Sequence, residues 1–315
     1  MPAVLLIGKN GQVGSELVSL LPQFGELTAL DRNDLDLCDP DAIRRAVRHF
    51  RPNLIVNAAA YTAVDKAETE QPIAYAVNAT APGILAQEAH KIGVALIHYS
   101  TDYIFDGSKQ EPYVEPDSTN PLNVYGKSKF EGELAIRDSN ALHLIFRVSW
   151  VYSTRGQNFL LAVLRLGSQR EELRMVRDQV GTPNRAQDIA QATADVLARL
   201  HLDSGFGSAF EKVCGTYHLS ATGVASRFDF TQAICDEMAQ GPTPGWASAA
   251  MEGRSFTLKR LIPITTAEYP TPATRPLYSA LSNERFCRTF GIPLPDWRAQ
   301  LHRTFSYREK QLPQS

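Results

Sequence analysis

Tyr125 and Lys129 stand four residues apart in Tyr125-Gly126-Lys127-Ser128-Lys129, the spacing that puts two side chains on one face of a helix. A phenol titrates at about 10 and a nearby ammonium favours its phenolate, so such a pair can move a proton near working pH. Lys127 is two residues from Tyr125 and points elsewhere. This pattern is common on solvated helix faces, and its weight here comes from Ser100-Thr101-Asp102-Tyr103, just past the apolar run Val94–Tyr99. Reactive groups in open α/β sheets collect at the carboxyl ends of strands. A hydroxyl at that place can hold a substrate carbonyl.

A second cluster of chemistry opens the chain. Gly8-Lys9-Asn10-Gly11-Gln12-Val13-Gly14 follows a strand-like run and begins a helical one, with glycines spaced G-x-x-G-x-x-G. One glycine permits a tight turn, one lets backbone N–H groups approach a pyrophosphate, and one allows close helix–strand packing. Asp31 ends the next apolar run, placed to accept hydrogen bonds from an adenosine ribose. Its neighbour Arg32, helped by Lys9, can instead neutralise a 2′-phosphate, so NADH and NADPH both remain open.

These groups need a scaffold. Short apolar runs at Val4–Ile7, Leu27–Leu30, Leu54–Val56, Val94–Ile97 and Leu144–Phe146 alternate with helical patterns at Gln12–Leu21, from Asp39-Pro40, about Pro72–Lys91 and Tyr125–Asp138. Strands that alternate with helices and lack a polar face predict a parallel sheet covered on both sides, a doubly wound Rossmann-type α/β fold. We assign residues 1–152 to a dinucleotide-binding domain and 153–315 mainly to a smaller α/β substrate-binding domain, with some segments packing back on the first. In this second half Gly156–Ser168 and Gln187–Leu200 read as helices and Gly215–Leu219 as a strand, while Ser204–Ser208 reads as a surface loop. The proline-rich Tyr269–Pro276 is suited neither to a long helix nor to a central strand.

Composition excludes several classes of function. Lys and Arg total 32 against 34 Asp and Glu with no basic run, which argues against a nucleic-acid partner. The N-terminus lacks a basic region before a short apolar run, and Ile73–Ile97 is interrupted by Asn78, Gln87, Glu88, His90 and Lys91, so neither a signal peptide nor a membrane span is expected and the location reads as cytoplasmic. Cys38, Cys214, Cys235 and Cys287 are too scattered for a zinc or redox pair and read as reduced, mostly buried thiols. His98 and His218 fall inside strand-like runs and read as core residues.

Taken together, Gly8–Gly14, Asn57-Ala58-Ala59-Ala60, Ser100–Phe105, Tyr125–Lys129 and Arg147–Tyr152 make the chain resemble the extended short-chain dehydrogenase/reductases. Within that family it is similar to the reductases of dTDP-linked 4-keto-6-deoxy sugars, a likeness running from Leu5 to about Leu281 that includes Ala58–Glu68, Pro121–Lys127 and Tyr269–Pro276. The resemblance implies an oxidoreductase that uses NADPH or NADH to reduce the 4-keto group of dTDP-4-dehydro-L-rhamnose, the last step of dTDP-L-rhamnose biosynthesis. It implies that Gly8, Gly11, Gln12, Val13 and Gly14 hold the pyrophosphate, that Asp31, Arg32, Asp36 and Leu37 surround the adenosine, and that Ala60, Tyr61, Thr62 and Tyr99 line the cofactor. Tyr125, Lys129 and Thr101 are the implied catalytic residues, Tyr125 and Lys129 also touching the cofactor, while Thr101, Asp102, Trp150 and Arg275 contact the substrate. Trp150 can equally be a core aromatic, and Arg275 either grips a diphosphate or pairs at the surface. A homodimer and a Mg2+ site including Glu16 are also implied, but Asn184–Asp188 offers Arg185 and Gln187 where a hard cation wants acids. An epimerase or dehydratase of this fold and a non-catalytic nucleotide-binding subunit are the alternatives.

Overall fold

The computed structural model describes residues 2–201 and 206–306. Its centre is a wholly parallel six-stranded sheet built from β1 (Ala3–Ile7), β2 (Glu26–Leu30), β3 (Leu54–Asn57), β4 (Ala95–Thr101), β5 (His143–Val148) and β6 (Gly215–His218), in the spatial order β6-β5-β4-β3-β1-β2. The order reverses between β1 and β3, the place where parallel α/β sheets open a crevice at their carboxyl ends.

The two faces of the sheet explain the unbroken apolar runs. Side chains alternate along a strand, so Val4, Leu6, Val56, Ile97 and Phe146 meet α1 (Gln12–Leu20) and α6 (Ala186–His201), while Leu5, Ile7, Ile55, Leu96 and Ile145 meet α2 (Pro40–Phe50), α3 (Ala81–Ile92) and α4 (Val124–Asp138). Helix α2 starts as its sequence suggests: the Asp39 carboxylate accepts from the Asp41 and Ala42 N–H groups, and Pro40 takes the first helical position.

The chain between 71 and 92 is not one regular helix. Gln71–Tyr75 is α-helical, Ala76–Thr80 winds as a π-helix, and only then does α3 begin. Periodicity cannot show this, because the bulge serves a contact with α4, where a Cβ on Gly132 would collide with the Asn78 carbonyl oxygen.

In the second half, α5 (Phe159–Gly167) and α7 (Arg227–Ala239) build a separate apolar cluster with Tyr152, Trp246, Trp297 and Leu301. Strand β6 and helix α6 instead return to the central sheet, β6 pairing with β5 and α6 covering β1 and β4. Glu172–Val176 pairs in parallel with Arg260–Ile264, and Tyr269–Pro276 forms neither helix nor strand apart from the turn entering it. Of the loop expected at Ser204–Ser208, residues 204–205 lie outside the described residues, and a helix has already begun at Phe206. The cysteines depart from expectation. Cys38 is exposed between β2 and α2, and Cys214, Cys235 and Cys287 are only half-buried, because each lies near the end or the outer face of its element. His98 and His218 are fully buried, as their strands require. Among the described residues no helix is long and apolar enough to cross a membrane.

Gly8 is the tightest joint of the scaffold, with φ +92° and space for a Cβ only 2.6 Å from the Ala59 nitrogen. Gly8→Ala is therefore expected to destabilise the fold by at least about 2 kcal/mol, read as a lower midpoint in urea unfolding. An unchanged midpoint would show that the loop can yield.

Candidate functional site

Strand β4 ends at Thr101 and runs directly into a short 3-10 turn, Asp102–Ile104. Helix α4 is laid against that turn so closely that a Cβ on Gly126 would strike the Tyr103 carbonyl oxygen. Its N-cap is Asn123, whose Oδ1 accepts from the Gly126 N–H while its Nδ2 donates to the Thr274 carbonyl at 2.7 Å. The first turn of α4 thus carries Tyr125 to Thr101, and the second carries Lys129 beneath it. Lys127 faces outward and is exposed.

The Thr101 hydroxyl donates to Asp102 Oδ1 at 3.1 Å and accepts from the Tyr103 N–H at 3.1 Å. Ser279 donates to the other carboxylate oxygen at 2.6 Å. Burial is the larger influence on Asp102 and raises its pKa to about 6, against the hydroxyls of Ser279 and Thr101 and the cation of Arg227. Burial also pushes Tyr125 above its ordinary range, with the Thr101 hydroxyl pulling the other way. A tyrosine so placed keeps its proton at neutral pH and is able to donate it. Tyr103 packs edge-on against its ring.

Lys129 is 1% exposed, and its Nζ donates to the Tyr99 carbonyl at 2.6 Å. Burial brings its pKa down to about 7, opposed by Glu133 on the same helix. The Tyr99 main chain is what meets the site: its ring lies in the core on the opposite face, with its hydroxyl 2.7 Å from Thr193 Oγ1.

The other predicted cofactor residues cluster at the switch between β1 and β3. Gly8 and Lys9 donate through their N–H groups to the Leu30 carbonyl, and Gly14 lies so close to Gly8 that a Cβ there would overlap its oxygen. Helix α1 starts at Gly11 with no side-chain cap and no acid in its first turn. Its free N–H groups at Gln12, Val13 and Gly14 form a site suited to an anion. A dinucleotide pyrophosphate fits this cradle on geometry alone. The Gln12 side chain reaches Val151 and Ser153, joining the start of α1 to the second half.

Asp31 accepts from Asn10 Nδ2 at 2.7 Å, and Lys9 is drawn mainly to Asp34 at 2.6 Å. Arg32 is exposed and makes no ion pair among the described residues. Asp36 accepts from the Cys38 N–H, and Leu37 packs on the core under α2. Ala60, Tyr61 and Thr62 follow β3, and the buried Asn78 amide grips this stretch, accepting from the Tyr61 N–H and donating to its carbonyl and to Ser128 Oγ. The π-helical turn is what aims Asn78 there.

On the substrate side, Trp150 adopts φ +42°, unusual for a bulky side chain. Its ring lies against Gly181, where a Cβ would come within 2.5 Å, and the Arg227 guanidinium covers it at 3.5 Å from the ring centroid. Arg227, at the start of α7, also lies 4.9 Å from the Phe159 ring, donates a hydrogen bond to the Tyr103 hydroxyl and acts electrostatically on Asp102, yet among the described residues it has no ion-pair partner. Sequence reasoning missed it, and its only local signal is a capping box, Ser226 with Asp229, that marks a helix start but not where the first side chain points. Arg275 takes the pairing course: its guanidinium holds the Asp65 carboxylate with two hydrogen bonds, 2.6 and 2.7 Å. The residues present do not fit a Mg2+ site. Among the described residues no three His, Cys, Asp or Glu side chains gather, Glu16 lies 3.9 Å from Arg155, and Asp188 is shared by Arg185 and Arg303.

The family model described as RmlD substrate binding domain matches residues 2–309. The dTDP-4-dehydrorhamnose reductase of Burkholderia thailandensis is 44% identical, over 94% of this chain and 95% of that protein, and the enzyme of the same name from Escherichia coli K12 is 42% identical over 95% and 96%. Among solved structures, the dTDP-4-dehydrorhamnose reductase of Clostridium acetobutylicum superimposes with TM-score 0.84 at 34% identity, covering 96% of this chain and 98% of that one. The Bacillus anthracis enzyme in complex with NADP gives 0.81 at 32%, covering 97% and 99%. The central parallel sheet is therefore that of a Rossmann-type oxidoreductase, and the chain belongs to the dTDP-4-dehydrorhamnose reductase family.

Proposed function

We propose that this chain is a cytoplasmic NAD(P)H-dependent oxidoreductase that reduces the 4-keto group of dTDP-4-dehydro-L-rhamnose to give dTDP-L-rhamnose. One observation carries the reading: Thr101, a protonated Tyr125 and Lys129 meet at the carboxyl end of β4, on the same edge of the sheet as the uncapped start of α1. A nucleotide-binding subunit without turnover has no use for that convergence. In this reading the chain works as a homodimer.

Backbone N–H groups at Gln12, Val13 and Gly14 hold the pyrophosphate, the Gly11 N–H being spent on the Gly8 carbonyl at 3.0 Å, with Asp31, Asp36 and Leu37 around the adenosine and Ala60, Tyr61 and Thr62 along the cofactor. Arg32 stands free to meet a ribose 2′-phosphate, so NADPH is accepted as well as NADH. When bound, the reduced nicotinamide supplies the hydride that C4 of the sugar receives. Tyr125 donates its phenolic proton to the C4 oxygen, and burial has kept that proton in place until then. Thr101 turns its hydroxyl to the same oxygen, and Lys129 orients the nicotinamide ribose and meets the negative charge left on Tyr125. Trp150 and Asp102 border the sugar. Arg227 takes the diphosphate, its guanidinium held flat on Trp150 with its edge unclaimed by any carboxylate, and Arg275, tied to Asp65, adds positive potential beside it.

Purified protein given dTDP-4-dehydro-L-rhamnose is expected to consume NADPH, followed as loss of reduced-nicotinamide absorbance. Tyr125→Phe should keep cofactor affinity and lose turnover by roughly 100-fold or more. Near wild-type turnover would remove Tyr125 from its role. Arg227→Met should raise KM for the nucleotide sugar by roughly 10- to 100-fold while leaving NADPH binding unchanged, as a lost charge-assisted contact requires. An unaltered KM would place the diphosphate elsewhere.

Asp102 gives a pH signature. Its folded pKa, about 6, lies above the ordinary 3.8. Below the ordinary value both states hold the proton. As pH rises towards 6 the unfolded chain ionises first, so stability is lost across this window and stays lost above it. Asp102→Asn abolishes the loss, and its stability relative to wild type should improve between pH 4 and pH 7.5 by up to about 3 kcal/mol in urea unfolding. A pH-independent difference would contradict the assignment.

A further inference from the structure

Four polar groups in a row connect the cofactor-lining chain after β3 to the lysine of the site. The Ala59 N–H meets Asn57 Oδ1 at 3.2 Å, Asn57 Nδ2 lies 3.1 Å from His98 Nδ1, and His98 Nε2 lies 3.1 Å from Lys129 Nζ. Asn57 and His98 are wholly buried and Lys129 almost so, which leaves the bond directions to the protein. Those directions are forced. A backbone N–H only donates, so the oxygen of the Asn57 amide faces Ala59 and its nitrogen faces the imidazole. That nitrogen also only donates, so His98 Nδ1 is an acceptor and the ring proton sits on Nε2. An N–H aimed at Nζ suits the lone pair of a neutral amine and opposes an ammonium, all of whose protons are donors.

We propose that His98 is a positioning residue for the reduction: held as the Nε2–H tautomer by Asn57, it donates to the Lys129 amine, favours the neutral form of that lysine in the free enzyme, and ties its orientation to the cofactor-lining chain at Ala59. The surrounding charges do not undo this. Glu133, one turn further along α4, is claimed by Arg147 of β5 through bonds of 3.0 and 2.8 Å and by Arg137. Tyr125 on the same helix stays neutral, Tyr99 of β4 offers only its carbonyl, and β3 contributes the uncharged Asn57. His98 itself is kept uncharged by burial. Lys129 is thereby poised to take up a proton when the nicotinamide ribose and the Tyr125 phenolate give its N–H groups acceptors, close to neutral pH.

The inference rests on the assignment of Lys129 to the reduction, and its deciding readouts, the NMR measurements on the protein without substrate, fail or succeed separately from the ketone assay. Nitrogen NMR of the histidine-labelled enzyme, with His98 assigned by comparison with His98→Gln, should show a protonated Nε2 and a bare Nδ1 at pH 7. A protonated Nδ1 or an imidazolium would overturn the proposal. In His98→Gln an amide oxygen can accept from the ammonium, so the Lys129 titration, followed by NMR of labelled lysine, and the matching limb of the kcat/KM profile should move up by about one pH unit or more. Asn57→Ala, which frees the tautomer while keeping the imidazole, should shift both in the same direction and covers the case in which His98→Gln folds poorly. A merely structural role predicts loss of stability with the titration unmoved, and that result would overturn the proposal.

Discussion

The site depends on one costly arrangement, the burial of the Lys129 amine under the carboxyl end of the sheet. A move from the ordinary 10.5 to about 7 corresponds to roughly 5 kcal/mol set against the charged form. Such a group is tolerated only where its hydrogen bonds are provided. Here the Tyr99 carbonyl takes one N–H and His98 presents its Nε2 edge, so the strand that delivers Thr101 also supplies what the lysine needs. Glu133 could have satisfied the ammonium more cheaply, but Arg147 and Arg137 have drawn it into an ion-pair network one turn further along α4. The lysine is therefore left able to exchange a proton, which a conventional ion pair would prevent.

Rigid close contacts hold this arrangement in place. At Gly8 the first loop touches the chain after β3, at Gly126 helix α4 touches the turn after β4, and at Gly132 the same helix touches the π-turn that carries Asn78. Each contact brings backbone to backbone without an intervening side chain, so errors of position cannot be absorbed by a rotamer change. The glycine loop before α1 and Tyr125 thus belong to one framework. Productive hydride transfer needs reacting atoms within a few tenths of an ångström of their place, and short backbone contacts supply that precision better than long polar side chains.

Much of this was readable from residue patterns, for identifiable reasons. The four interior strands, β1, β3, β4 and β5, are largely apolar on both faces because helices cover both, and a two-sided core leaves an unbroken run in the sequence. The glycine spacing and the four-residue interval from Tyr125 to Lys129 were informative because each encodes a local geometry. Features that depend on partners distant in sequence were not. Arg227 lies 77 positions beyond the ring it covers, and no local pattern aims it at Trp150. The direction of Tyr99 was hidden likewise, since alternation tells which face a ring takes only once the helices on each face are known, and Thr193 comes from α6. The π-turn responds to α4, and β6 joins the sheet only through β5.

Net charge adds a final constraint. A chain with formal charge −2 has no general attraction for a nucleotide sugar and a dinucleotide, both anions. The attraction has to be local, and the fold makes it so by two different devices. At α1 it leaves backbone N–H groups uncapped, which are positive at every pH and carry no cost of burying a formal charge. At Trp150 it lays a guanidinium on an aromatic face, which partly replaces lost hydration, and engages it by the Tyr103 hydroxyl rather than by a carboxylate. Neither device makes a basic surface, so whatever positive potential the fold offers is confined to these two places.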